Sequence, residues 1–116
     1  MLAQERTVDD FNTEHLNRSQ RKLANTINKW LHARLGCWPS GGGCRAYYTP
    51  KEWRERGELY GRESALILCH DGGDLAPFLN LDYGNYKGFD DFYQMMRELG
   101  YYTEACTSWY TAVYPL

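Results

Sequence analysis

The sequence has no long hydrophobic run, and this excludes a helical membrane protein. No stretch approaches the roughly 18 consecutive apolar residues of a membrane-spanning helix. The first residues, MLAQERTVDDF, are charged early and lack the apolar segment of a signal peptide. We therefore expect a cytoplasmic protein without membrane contact, in which four cysteines stay reduced: Cys37, Cys44, Cys69 and Cys106.

Basic residues are scarce in the second half of the chain. Only Lys87 and Arg97 follow residue 65, against seven acidic residues, so residues 66–116 carry a net charge of −5. Residues 1–65 carry +3. This asymmetry predicts an acidic face that favours a basic partner, although exposed carboxylates also occur on any ordinary solvated surface.

The glycine-rich loop 37–44, CWPSGGGC, lacks the signatures of phosphate and zinc sites. It has no Gly-Lys-Ser/Thr ending, and it follows a predicted helix rather than a strand. Six residues separate Cys37 from Cys44, where a zinc knuckle has about two to four, and no second knuckle exists. We predict no metal and no cofactor, and we interpret the loop as a flexible linker or lid.

The length of 116 residues predicts one domain, since it suffices for a single core. We divide it into an N-terminal helical segment (1–36), the glycine-rich loop (37–44) and a sheet-containing core (45–116). Hydrophobic residues make up 43% and aromatic residues 16%, which is typical of a folded protein with tyrosine-rich strands. The sequence contains no internal repeat and no low-complexity segment.

The stretch 64–81, SALILCHDGGDLAPFLNL, is the most hydrophobic part of the chain. Its two apolar runs, 65–69 and 76–81, flank a Gly-Gly pair that suits a tight turn, and this predicts a β-hairpin. We predict an α+β fold with an antiparallel sheet of roughly three to five strands centred on this hairpin. Residues 45–48 are a candidate short strand, and the tail 101–114 is predicted to add one bent strand or a pair of strands.

Three helices are predicted around the sheet. Apolar spacing through Leu23, Ile27 and Leu31 predicts a long N-terminal helix, either continuous from about residue 8 to residue 35 or broken near residues 17–19. Thr49, followed by Pro50, begins a short helix at 50–56. Helical spacing of apolar residues predicts another helix at 88–99.

One cluster of residues could support catalysis. Cys69 and His70 close the first predicted strand, and Asp71 or Asp74 could orient the imidazole. Neighbours on a strand point to opposite faces, so we expect Cys69 to enter the core and His70 to lie at the rim of the sheet. A small hydrolase or nuclease with a site at His70, Asp71 and Asp74 is therefore one alternative function.

A basic helix face supports a second alternative. Arg18, Arg21 and Lys22 follow one another on the outer face of the N-terminal helix, where they could contact nucleic acid.

The leading hypothesis is a non-enzymatic protein-binding or inhibitor module with a basic protein partner. Its acidic, tyrosine-rich surface is predicted to include Asp71, Asp74, Asp82, Tyr83 and Tyr86. In size, acidity and tyrosine content the chain resembles small accessory proteins of phages and mobile elements, among them the anti-CRISPR inhibitors. Self-association into a homodimer, through the C-terminal strand or the N-terminal helix, is left open.

Overall fold

Four antiparallel strands form one sheet in the computed structural model, which describes residues 10–116. They are β1 (Tyr47–Tyr48), β2 (Leu66–Cys69), β3 (Tyr101–Ala105) and β4 (Tyr110–Pro115). The order across the sheet is β1-β2-β4-β3. The predicted α+β class is confirmed, and the C-terminal tail forms the pair of strands β3 and β4, of which β3 is the edge.

Helices pack around this sheet. They are α1 (Arg18–Leu35), α2 (Pro50–Glu55), α3 (Ala76–Leu79) and α4 (Tyr86–Glu98), and a turn of 3-10 helix covers Leu81–Tyr83. The short helix predicted at 50–56 and the helix predicted at 88–99 are confirmed within one or two residues of their bounds.

The long N-terminal helix begins at Arg18, so the broken alternative is the correct one within the described residues. Asn17 caps α1: its side chain accepts a hydrogen bond from the Gln20 backbone N–H, and the Gln20 side chain accepts one from the Asn17 backbone N–H. The part of the predicted helical segment before residue 10 lies outside the described residues.

The second half of the predicted hairpin is wrong, because Ala76–Leu79 forms α3 rather than a strand. Pro77 has no backbone N–H to donate to a ladder, whereas it is well tolerated in the first turn of a helix. The place beside β2 is taken by β4, whose tyrosine, threonine and valine side chains suit a strand. The sheet is therefore built around β2, as predicted, but its tight hairpin is β3–β4.

Strand β2 is buried on both faces. Leu66 and Leu68 belong to a core cluster that includes α1 and α4 residues. Ile67 points the other way and packs with Trp53 of α2 and with Tyr110 of β4. Strand β2 is thus covered on both sides, and its four residues, LILC, are accordingly apolar.

Within residues 10–116, no helix combines the length and the apolar character needed to cross a bilayer.

Replacing Leu68 with alanine tests this arrangement. Leu68 has no exposed surface, so we expect L68A to lower the free energy of unfolding by about 2–5 kcal/mol in urea denaturation. L59A is the matched control, because Leu59 is 76% exposed, and its effect should stay within about 0.5 kcal/mol. Equal losses in the two variants would contradict the assignment of β2 as the centre of the core.

Candidate functional site

Three connecting segments meet at the end of the sheet where β2 finishes. The His70 backbone N–H donates to the Trp109 carbonyl at 2.8 Å, which joins the end of β2 to the β3–β4 turn. The Asn80 side-chain amide donates to the Ser108 carbonyl at 3.2 Å, which joins the start of the 3-10 turn to the same place. We call this end of the sheet, with residues 71–74, 80–86 and 106–109, the loop end.

The 3-10 turn at the loop end carries apolar and acidic side chains outward. Leu81 is 50% exposed, Tyr83 53% and Tyr86 65%, and Asp82 is also exposed. Such exposure is high for large side chains, and these exposed residues fall within six positions of the chain.

Two asparagines hold this segment in place. The Asn80 side-chain oxygen accepts a hydrogen bond from the Asp82 N–H, and the Asn85 side chain accepts one from the Gly88 N–H at the start of α4. Gly84 lies between them with a φ of 72°, a left-handed conformation that disfavours other residues. The patch is therefore presented by a fixed turn. Asn80 was missed in the sequence, although an asparagine before a short turn is a recognisable capping signal.

Asp71 is exposed where β2 ends, next to His70, whose N–H donates to the Trp109 carbonyl. Across residues 10–116, the carboxylates of Asp71 and Asp82 take part in no salt bridge and no side-chain hydrogen bond. Both charges are therefore available to a partner. The loop-end surface is defined as Asp71, Leu81, Asp82, Tyr83 and Tyr86.

Asp74 does not belong to that surface, because its carboxylate is used inside the protein. One Asp74 oxygen accepts from the Ser40 N–H at 2.8 Å, and the Asp74 N–H donates to the Ser40 carbonyl at 2.8 Å. These two hydrogen bonds connect the glycine-rich loop to the turn after β2. In the structure Asp74 therefore has a structural role, and the loop-end surface is defined without it.

The glycine-rich loop, interpreted from the sequence as a flexible linker or lid, is held at further points. An Asp10 carboxylate oxygen accepts hydrogen bonds from the N–H groups of Gly41 and Gly43, at 3.0 and 3.4 Å. Gly73 packs directly on the loop, since a Cβ atom there would lie 2.7 Å from the backbone of Gly41. Glycines allow the two loops to touch through their backbones.

His70 is buried rather than at the rim, which corrects the predicted position. Its side chain is 2% exposed, and Nε2 lies 2.9 Å from the Thr111 hydroxyl. Nδ1 is buried without a hydrogen-bond partner among the described residues. Burial lowers the pKa of His70 to about 4, so the imidazole is neutral near pH 7.

The predicted catalytic cluster is not assembled. Cys69 lies next to Cys44, with 3.4 Å between the two sulfur atoms, while the His70 ring contacts Thr111 and Asp74 contacts Ser40. The expectation that Cys69 and His70 point to opposite faces of the sheet fits these contacts. Within residues 10–116, no group of three or more His, Cys, Asp or Glu side chains is arranged to hold a metal ion.

The basic face of α1 is divided between structural and exposed side chains. The Arg21 guanidinium donates to the carbonyls of Thr13, Glu14 and Leu16 at 3.0–3.2 Å, so it stabilises the turn before α1. Arg18 and Lys22 are exposed and make no side-chain hydrogen bond or salt bridge within the part of the chain described. Only these two of the three predicted nucleic-acid contacts are free to bind a ligand.

The lowered pKa of His70 predicts that the stability of the fold depends on pH. A histidine in an unfolded chain has a pKa near 6.5, so between about pH 6.5 and pH 4 the unfolded chain is protonated at this position while folded His70 stays neutral. The free energy of unfolding is therefore unaffected by this group above pH 6.5, and it falls by up to about 3 kcal/mol as the pH is lowered to 4.

Urea denaturation between pH 4 and pH 8 measures this loss. We expect H70Q to show a flatter profile than the unmodified chain, whereas H32Q, on the partly exposed His32 of α1, should keep the original profile. Parallel profiles for H70Q and the unmodified chain would contradict the assignment.

Alanine variants of Arg21 and Lys22 compare a side chain that bonds the backbone with a neighbour that is only exposed to solvent. R21A should lower the free energy of unfolding by about 1 kcal/mol, because three partly exposed carbonyls lose a charged donor. K22A, one residue away, should change it by less than about 0.5 kcal/mol in the same denaturation assay. A loss for K22A as large as for R21A would remove the structural role inferred for Arg21.

Comparisons with protein-family models, with curated proteins and with solved structures found no match.

Proposed function

We propose that the protein is a non-enzymatic protein-binding module that docks a basic partner at its loop-end surface. The observation that carries the proposal is the set of exposed side chains at the loop end: Leu81, Asp82 and Tyr83 on the fixed turn, Tyr86 just after it, and Asp71 at the end of β2. Tyr83 and Tyr86 are more than half exposed, and Asp71 and Asp82 have no internal partner in the described chain. Asp74 supports the turn from within.

The aromatic side chains supply most of the affinity in this proposal. Burying an exposed tyrosine or leucine contributes roughly 1.5–3 kcal/mol each, and tyrosines are common anchors of interfaces. Exposed carboxylates contribute less to affinity, but they accelerate association with a basic surface and make binding sensitive to salt. The fixed turn reduces the entropy lost on binding, because its backbone is already ordered by Asn80 and Asn85.

The chemistry of the surface suggests the kind of partner. A basic groove that normally holds nucleic acid would accept carboxylates in place of phosphates and would offer flat surfaces to aromatic rings. As part of the proposal, the protein acts in the cytoplasm as an inhibitor encoded by a phage or mobile element, of the anti-CRISPR type. The net charge of −5 on residues 66–116 supports this partner chemistry.

The two alternatives have less support. A hydrolase or nuclease that uses His70 needs the imidazole to touch substrate, and this imidazole is 2% exposed. Of the three residues predicted to contact nucleic acid through α1, Arg21 is engaged by three carbonyls, which leaves Arg18 and Lys22 without a partner in the described chain.

The first experiment is affinity capture from a bacterial lysate at low and high salt, with the eluate assayed for protein and for nucleic acid. We expect a stoichiometric basic protein that is released at high salt. Nucleic acid without protein would favour the α1 alternative instead. A capture that persists unchanged at high salt would contradict a charge-assisted interface.

Charge reversal then locates the interface. With the captured partner, D71K/D82K should weaken binding by about 10–100-fold and reduce its salt dependence, because two local attractions become repulsions. Calorimetry or surface-based binding at two salt concentrations measures both effects.

The matched control is E63K/E98K, which changes the net charge equally at the opposite end of the sheet. Glu63 precedes β2 and Glu98 ends α4, and both are exposed. The control should bind within about threefold of the unmodified chain. Equal weakening by the two double variants would mean that net charge, not the loop-end surface, determines binding.

A further inference from the structure

Cys44 and Cys69 are positioned as a thiol pair. Their sulfur atoms are 3.4 Å apart, although the residues are 25 positions apart in the chain. Both are free thiols. A disulfide has an S–S distance of about 2.05 Å, so the two sulfurs need to approach by only about 1.4 Å to become bonded.

The backbone on each side brings the two thiols together. The Cys69 N–H donates to the Ala46 carbonyl at 2.7 Å, which extends the β1–β2 pairing toward Cys44. The Cys44 N–H donates to the Gly41 carbonyl at 3.0 Å, which closes the glycine-rich loop just before it. The pair therefore joins this loop to the end of the central strand.

The two thiols differ in exposure. Cys44 is partly exposed, whereas Cys69 is 7% exposed. Burial, together with the hydrogen bond to Cys44, raises the pKa of Cys69 to about 12, so Cys69 stays protonated near pH 7. Cys44 is therefore the thiol that an external disulfide can reach first, and Cys69 lies close enough to attack the resulting mixed disulfide in a second step.

We propose that Cys44 and Cys69 form a reversible disulfide by exchange with a low-molecular-weight disulfide such as oxidised glutathione. The site is independent of the proposed binding function, since neither cysteine belongs to the loop-end surface.

The exchange is balanced in two steps. The Cys44 thiolate attacks one sulfur of the small disulfide, forms a mixed disulfide and expels one small thiolate. Cys69 then loses its proton to solvent and attacks the Cys44 sulfur, which breaks the mixed disulfide and expels the second small thiolate. Two electrons pass from the protein to the small disulfide, which leaves as two thiols after protonation.

Bond formation would lock the glycine-rich loop onto β2. Hydrogen bonds to Asp74 and Asp10 already hold Ser40 and Gly41 in the middle of this loop, so the oxidised loop would be fixed there and at Cys44. The new covalent link closes a chain segment that is free in the unfolded reduced protein, and this stabilises the fold.

The experiment uses the full chain with C37S/C106S, which leaves only the proposed pair. After incubation with oxidised glutathione, we expect a mass loss of about two daltons, loss of both free thiols and a Cys44–Cys69 cross-linked peptide. The midpoint of thermal unfolding should rise by roughly 5–15 °C, and dithiothreitol should reverse every change.

A second variant identifies the attacking thiol. Adding C69S to the same background should leave a stable glutathione adduct on Cys44, whereas adding C44S should leave Cys69 largely unmodified because it is buried. Circular dichroism checks that each variant is folded, and peptide mapping of the unmodified chain gives the same answer without any substitution.

Two results would overturn the proposal. One is a C37S/C106S chain that keeps both thiols under these conditions. The other is a glutathione adduct on that chain that persists without forming the cross-link.

Discussion

Strand β2 needs hydrogen-bond partners along both of its edges and apolar neighbours on both of its faces, and the rest of the structure follows from this constraint. Its four residues, LILC, are buried on both faces, so no backbone group along them can turn to water. A buried backbone amide or carbonyl without a partner is costly, and the two edges of β2 are therefore paired with β1 and β4. Each face then needs its own apolar cover, which α1 and α4 supply on one side and Trp53 of α2 on the other.

Elements with strong local signals could be predicted from the sequence. The capping box at Thr49 and the spacing of apolar residues in α4 depend on neighbours within four positions, so they are visible without tertiary structure. The run beginning at Ala76 was misassigned because a short apolar segment next to a Gly-Gly pair fits a strand or a buried helical turn equally well. Pro77 was the signal against a strand in that segment.

The candidate site shows a different limit of sequence reasoning. The sequence does not distinguish Asp74 from Asp71 and Asp82. In the structure, however, the Asp74 carboxylate accepts a hydrogen bond from the backbone N–H of Ser40, 34 positions away. Nothing local reveals such a partner. His70 was misplaced for a related reason, because its burial depends on Thr111 of a strand that lies 41 positions later in the chain.

Gly73 makes the turn after β2 depend on the backbone of the glycine-rich loop. A side chain at 73 would meet the backbone of Gly41, whereas a side chain at 41 would collide with the Cys44 carbonyl of its own loop. A larger residue at 73 therefore requires displacement of the glycine-rich loop, and with it the hydrogen bonds of Asp10 and Asp74. Position 73 can accept a side chain only in a protein whose glycine-rich loop follows a different path, whatever happens to the exposed residues around it.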